Sequence, residues 1–211
     1  MKLYHLQVGM IGTNCYLVQD EQSGQGAVID PGDEAERILQ GIAQHGVEVT
    51  SILLTHGHFD HILAVHDVAE KTGAQVVIHQ ADAYRLKAEE LLTYKPYLRD
   101  AYQERLADRQ VQDGDTVAIG SLTARYLHTP GHTEGSCLIQ IEDNLFTGDT
   151  LFRREIGRCD LPGGDYNTML RSLKKIAQMP GDYQVYPGHE GFSTLAEEKQ
   201  HNRYLQMVMR P

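Results

Sequence analysis

Short apolar or alternating runs, separated by Gly, Pro, Asn and Asp, predict strands over residues 2–8, 14–19, 26–29, 51–54, 75–79, 122–128, 136–142, 144–146 and 183–186. Apolar positions recurring every three to four residues predict helices over 34–44 behind a cap at Asp33, over 62–71, over 166–177 after Asp165, and over 196–209. Residues 81–110 read as helical and charged, broken by Tyr94-Lys95-Pro96-Tyr97, and fit a solvated connection better than a flap over a site. The strands cluster and are joined by turns, with helices interspersed. That order predicts two mainly antiparallel sheets covered by helices rather than a regularly alternating parallel fold. No repeat, low-complexity linker or shift of composition marks a boundary, so residues 1–211 read as one domain.

At 211 residues the chain can bury roughly 70% of its unfolded surface without disulfides or a structural metal, so a metal here would be functional. With 41% apolar and 23% charged residues, no Trp and no apolar run near the roughly 18 residues of a membrane span, it has the composition of a soluble globular protein. The start Met1-Lys2-Leu3-Tyr4-His5 lacks the apolar core of a signal peptide, and Cys15, Cys137 and Cys159 stand in no paired spacing. Both features point to a reducing cytoplasm. The formal net charge of -10 disfavours a nucleic-acid or anionic-membrane surface and leaves a small molecule as the expected partner. Arg153, Arg154 and Arg158 concentrate positive charge and are candidates to receive a substrate carboxylate; solvated surface arginines are the alternative reading.

The densest chemistry lies in Thr55-His56-Gly57-His58-Phe59-Asp60-His61, directly after the apolar run Ser51-Ile52-Leu53-Leu54. Three imidazoles and a carboxylate so close together are metal-ligand density, since both groups suit zinc and non-heme iron. His56 and His58, two apart on a nearly extended chain, point the same way. Asp60 and His61 follow as the chain turns into a helix, where they can face a second ion.

Three other predicted strand ends carry a similar device. Residues 122–127 lead into His128-Thr129-Pro130-Gly131-His132, residues 144–146 into Thr147-Gly148-Asp149, and residues 183–186 into Pro187-Gly188-His189. In each, Gly or Pro-Gly makes a sharp turn before a candidate ligand held on a rigid strand. Taken with the dense motif they make seven ligands, five His and two Asp, about the number two ions sharing a bridging carboxylate and a water require. His5, His45, His66, His79, His128 and His201 read as structural or surface residues, with His128 the nearest to the site. Cys15 and Cys137 read as core, and Cys159 as the candidate reactive thiol.

His56-x-His58-x-Asp60-His61, followed in order by His132, Asp149 and His189, resembles the metallo-β-lactamase superfamily across nearly the whole chain. The resemblance implies an α+β fold, a four-layer αββα sandwich of two mixed sheets flanked by helices, with the site at one edge between the sheets. It also implies two divalent metal ions, zinc first, with iron or manganese open. His56, His58 and His132 would hold one ion, Asp60, His61 and His189 the other, and Asp149 would bridge. Di-zinc β-lactamases of the common class place Cys where Asp149 stands, and the diiron oxygen-reducing branch places Glu where His58 stands. The run Gly157-Arg158-Cys159-Asp160-Leu161-Pro162-Gly163-Gly164 is similar to the short bacterial branch of glyoxalase II, hydroxyacylglutathione hydrolases, and a related stretch occurs in persulfide dioxygenases. Classical glyoxalase II contacts glutathione through a longer C-terminal helical extension, whereas one predicted helix and Arg210-Pro211 follow His189 here, so the resemblance does not carry over the glutathione site.

The activity this implies is hydrolysis of thioesters resembling S-lactoylglutathione by a hydroxide held between the metals, with Asp60 orienting it as well as ligating. Zinc already lowers the pKa of bound water to about 7. A thiolate leaving group, whose conjugate acid has a pKa near about 8.5, needs no dedicated general acid. The alternative within the superfamily is a persulfide dioxygenase with one iron on His56, His132 and Asp149. A nuclease ranks third because of the acidic charge, and a non-catalytic binding module is disfavoured because no ligand is missing.

Overall fold

The computed structural model describes residues 1–91 and 102–210. Six strands form the first sheet in chain order: β1 (Lys2–Val8), β2 (Thr13–Gln19), β3 (Gln25–Ile29), β4 (Glu48–Leu53), β5 (Gln75–His79) and β6 (Arg109–Val111). The second sheet contains β7 (Thr116–Ile119), β8 (Leu122–His128), β9 (Cys137–Ile141), β10 (Asn144–Gly148), β13 (Gln184–Pro187) and β14 (Ser193–Thr194), ordered β14-β13-β10-β9-β8-β7. A small hairpin, β11 (Leu151–Phe152) with β12 (Glu155–Ile156), stands apart. The helices are α1 (Ala35–His45), α2 (Phe59–Ile62), α3 (Val65–Thr72), α4 (Tyr166–Ala177), α5 (Leu195–His201) and α6 (Arg203–Met209).

Period-two alternation in the strands sorts the apolar side chains into three layers. Cys15, Leu17, Val28, Ile52, Val76 and Ile78 face α1 and α3, where Ile38, Ile42, Val65 and Val68 meet them. Their chain neighbours Tyr16, Val18, Ala27, Ile29, Leu53 and Val77 face inward and pack on Ala124, Tyr126, Cys137, Ile139 and Phe146 of the second sheet. On the far side Leu138, Leu145 and Val185 meet Met169, Leu173, Ile176 and Leu205 of the C-terminal helices. The result is helices, sheet, sheet, helices, as the resemblance implied.

The expectation of mainly antiparallel sheets holds for the second sheet and fails for half of the first. β3, β4, β5 and β6 pair in parallel. Helix α1 separates β3 from β4, and α2 with α3 separates β4 from β5; such crossovers return the chain in the same direction. Other boundaries differ locally. The helix expected over 62–71 begins earlier and breaks at Leu63 and Ala64, where the Ala64 N–H turns aside to the Pro31 carbonyl. The helix expected over 196–209 divides at buried Asn202, whose extended backbone and side chain cap α6 through the Tyr204 and Leu205 N–H groups. Asp33 does not cap α1; Glu34 occupies that position in a left-handed conformation, and Asp165 does cap α4 by accepting from the Thr168 N–H. Within 81–110, residues Gln80–Leu86 form a 3₁₀ segment and residues 109–111 form β6; Tyr94-Lys95-Pro96-Tyr97 lies outside the described residues. No helix among the described residues is long and apolar enough to cross a membrane.

Candidate metal centre

All seven predicted ligands meet at one edge of the sandwich, where the C-terminal ends of strands from both sheets converge. Loops at such ends are the usual place for a site in parallel arrangements. His56, His58, Asp60 and His61 follow β4, His132 lies between β8 and β9, Asp149 directly follows β10, and His189 follows β13. Three sets of donor atoms lie within 4.8 Å of one another: His56, His58 and His132; His56, His61 and Asp149; and Asp60, His61 and His189. The overlap at His56 and His61 makes one continuous cluster with two poles. His58 Nδ1 stands 2.7 Å from His132 Nε2 at one pole, and His189 Nε2 stands 3.1 Å from Asp60 Oδ2 at the other. Asp149 lies between them, with Oδ1 3.4 Å from His61 Nε2 and Oδ2 3.4 Å from His132 Nε2. Gly188 closes the floor: a Cβ there would come within 2.4 Å of Asp149 Oδ1 and 2.7 Å of the His61 ring.

Hydrogen bonds behind the cluster assign the ring tautomers. The Thr55 hydroxyl donates to Asp30 Oδ2 at 2.6 Å, so at 3.1 Å it accepts from His56 Nδ1–H. The Arg158 carbonyl can only accept, so His132 Nδ1 carries the proton of their 2.7 Å bond. His61 Nδ1 donates to Asp30 Oδ2 at 3.0 Å. Each ring therefore turns a lone pair, or a readily displaced proton, into the cluster through Nε2. His56 Nε2, His61 Nε2 and Asp149 Oδ1 are buried there without a hydrogen bond, and His58 presents Nδ1 to the same cluster. Unpaired buried polar atoms are costly, and three at one point, all borderline-soft or oxygen donors, fit a bound cation.

The electrostatics agree. Burial, then His61 and His132, holds the His56 imidazole well below its ordinary value, and burial with His132 brings His58 down to about 3. Both rings stay neutral and available as ligands. Burial would lower His61 too, but Asp60, Asp149 and Asp30 outweigh it and hold its pKa well above the usual imidazole range. Asp149 moves the other way: its burial is outweighed mainly by His61, which keeps it ionised. The carboxylates that retain a proton on His61 are also the charge that would draw a divalent ion.

The remaining expectations fare unevenly. Arg158 does not offer a free guanidinium, because Nε and Nη2 pair with Asp160 at 2.7 and 2.8 Å. Arg154 sits in the β11–β12 turn with its N–H on Glu198, and Arg153 is exposed near Gly191. His128 stays out of the cluster, stacked on His79 with ring centroids 4.0 Å apart and bonded to the Glu134 carbonyl. The Cys159 thiol is not activated: burial and Asp160 push its pKa up to about 11.

Four residues behind the ligands were missed. Asp30 stands after a predicted strand and before Pro31-Gly32, the very turn chemistry used to find the other ligands. Thr13 and Asn14 at the start of β2, and Asp82 in the 3₁₀ segment, carry no local signal. Thr13 Oγ1 donates to Asp60 Oδ2 at 3.1 Å.

Residues 8–189 match the family model described as the metallo-beta-lactamase superfamily. The chain belongs to that superfamily. Among curated members, it is 33% identical to the hydroxyacylglutathione hydrolase GloC of Haemophilus influenzae, over 97% of this chain and 98% of that one. Among solved structures of the superfamily it resembles BLEG-1, a B3 metallo-beta-lactamase (32% identity, TM-score 0.89, covering 97% and 99%). It also resembles TTHA1623 in a di-iron-bound form (33%, 0.85, covering 96% and 100%) and ETHE1 from Myxococcus xanthus (30%, 0.82, covering 100% and 92%). Superfamily membership and the donor cluster together make this a metallo-hydrolase fold with a candidate binuclear centre.

Proposed function

We propose that this superfamily member is a metal-dependent thioester hydrolase acting on small cytoplasmic thioesters of the S-lactoylglutathione type. The observation that carries the reading is the two-poled donor cluster with its orphaned nitrogens and assigned tautomers. His56, His58 and His132 would hold one ion, Asp60, His61 and His189 the other, with Asp149 between. Zinc is the first expectation, and the di-iron form of the TTHA1623 structure keeps iron open. Bound there, the ions would supply an acidified water as nucleophile and a Lewis acid for the acyl carbonyl.

The chain's own groups supply orientation. Asp60 remains a carboxylate because His61 outweighs its burial, and Thr13 fixes it from behind, so it can accept a proton-side hydrogen bond from the attacking water. Arg153, exposed near the loop that carries His189, would receive a substrate carboxylate. A thiolate leaves without protonation, which suits a site whose acidic groups are all ionised.

The likeness to GloC supports hydrolysis and the likeness to ETHE1 supports the second reading, a persulfide dioxygenase with one iron on His56, His132 and Asp149. Elemental analysis of the protein as purified, followed by assays with S-lactoylglutathione, other acyl thioesters, a β-lactam and glutathione persulfide, separates them. Thioester turnover with two ions per chain is expected. Oxygen uptake with persulfide and one iron per chain would replace this reading with the second.

A further inference from the structure

Two buried polar side chains outside the ligand set hold the loops that carry the two poles of the cluster. Asp82, fully buried in the 3₁₀ segment, receives hydrogen bonds from two ligand-bearing loops: the Gly57 N–H at 2.9 Å and, from the other loop, the Thr133 hydroxyl at 2.7 Å and the Gly135 N–H at 2.8 Å. Gly57 lies between His56 and His58, and Thr133 adjoins His132. Arg85 stands beside Asp82 at 3.4 Å and extends the tie to the run that bonds His132, donating to Glu134 and to the Pro162 carbonyl. Every bond to Asp82 requires an acceptor.

Asn14 is the reverse case. Fully buried at the start of β2, it donates through Nδ2 to the Pro187 and Glu190 carbonyls, both at 3.0 Å, and its own N–H reaches the Gly188 carbonyl at 2.7 Å. The loop that carries His189 is thus held at three carbonyls. Two acceptors on Nδ2 fix the orientation of the amide, and Oδ1 meets His5 Nε2. The preceding residue, Thr13, holds Asp60.

We infer that Asp82 and Asn14 are positioning residues for separate halves of the centre: Asp82 sets the spacing of His58 and His132, and Asn14 the placement of His189 opposite Asp60. This rests on the binuclear reading above. The two braces share no atom and no loop, so each can fail without the other. Partners behind metal ligands typically change affinity by about 10- to 100-fold.

Isosteric substitutions test it from both sides. Asp82→Asn puts an amide where only acceptors fit, and Asn14→Asp puts a carboxylate where two donors are needed. Cobalt(II) titration of each full-length variant, with ion content measured after dialysis, gives the stoichiometry. Paramagnetically shifted ring N–H signals of His132 and His61 report which half is filled. Asp82→Asn is expected to weaken one ion by 10-fold or more and lose the His132 signal while keeping that of His61, and Asn14→Asp is expected to do the opposite. Circular dichroism checks the fold, and Thr133→Val, which removes one donor to Asp82, is expected to move in the Asp82→Asn direction by less. Loss of the same ion in both variants, of both ions in either, or of neither would overturn the inference. If unmodified protein binds one ion, the binuclear reading fails by itself; release of that ion by Asp82→Asn alone then supports the bracing role, and equal release by both variants removes it.

Discussion

The loop after β4 and the 3₁₀ segment after β5 leave neighbouring parallel strands at the same sheet edge, yet they do different work. The first carries four of the seven donors within six residues. The second carries none, and its single buried carboxylate accepts from the first loop's own backbone at Gly57. In the ligand-dense loop His56 and His61 spend their second nitrogens on Thr55 and Asp30, and the Gly57 N–H takes its partner, Asp82, from the segment that follows the next strand. Presentation and orientation of donors are therefore divided between adjacent strands, and rigid strand ends make the division workable.

This division can be broken hardest at His56, which belongs to two of the donor sets. His56→Ala is expected to abolish stoichiometric metal binding and to cut thioester kcat/KM by about 10³-fold or more, since a metal contributes several kcal/mol to the transition state. Metal content and turnover on the same sample check it, and retained activity would show that the cluster is not the reaction centre. On the orienting side, Asp30→Asn replaces one acceptor oxygen by a donor and leaves either the Thr55 N–H, bonded to Oδ1, or the Thr55 hydroxyl and His61 Nδ1, both bonded to Oδ2, without an acceptor. It is expected to weaken metal binding by about 10- to 100-fold while the donors stay in place, read by competition with a chelator.

The contact between the two regions is sharpened by Gly57→Ala. A Cβ at Gly57 would lie 2.6 Å from Arg85 Cβ, so overpacking is expected to cost about 1–3 kcal/mol, measured as a lower midpoint in urea. The most gradual effect is the pH response of metal-free protein, spread over several pH units. The His58 pKa is near 3 in the fold and near about 6.5 when unfolded, so its neutral form supports stability above that upper value. As pH falls from there toward 3, the unfolded chain takes the proton first and stability drops progressively. His58→Gln is expected to show a shallower acid loss than unmodified protein in thermal melts; parallel curves would refute the assigned shift.

Much of this was readable before any coordinates. The strands announced themselves by apolar runs bounded by Gly and Pro, and all seven donors follow turns or a dense motif with that local chemistry. The sheet direction was less accessible, because a strand buried on both faces looks alike whichever way its neighbour runs; the helices between β3, β4 and β5 held the clue. Asp30 shared the turn chemistry and was passed over. Asp82 and Asn14 could not be seen, since their meaning lies in hydrogen bonds to main-chain groups far away in the chain, 53 and 176 residues distant at the extremes. The pairing of Arg158 with Asp160 needed side-chain geometry of the same kind.

One further consequence follows from the inner apolar layer. The β4 loop hangs from the first sheet, whereas His132, Asp149 and His189 hang from the second, so donor spacing depends on how far one sheet may slip across the other. Tyr16 acts as a rivet against such shear, its ring wedged edge-on against Phe146 and its hydroxyl fastened to the Pro187 carbonyl at 2.6 Å. The greasy interior is in this sense a calliper, and a change of volume at Tyr16 or Phe146, remote from any chemistry, would be felt as a change in which ion the jaws prefer.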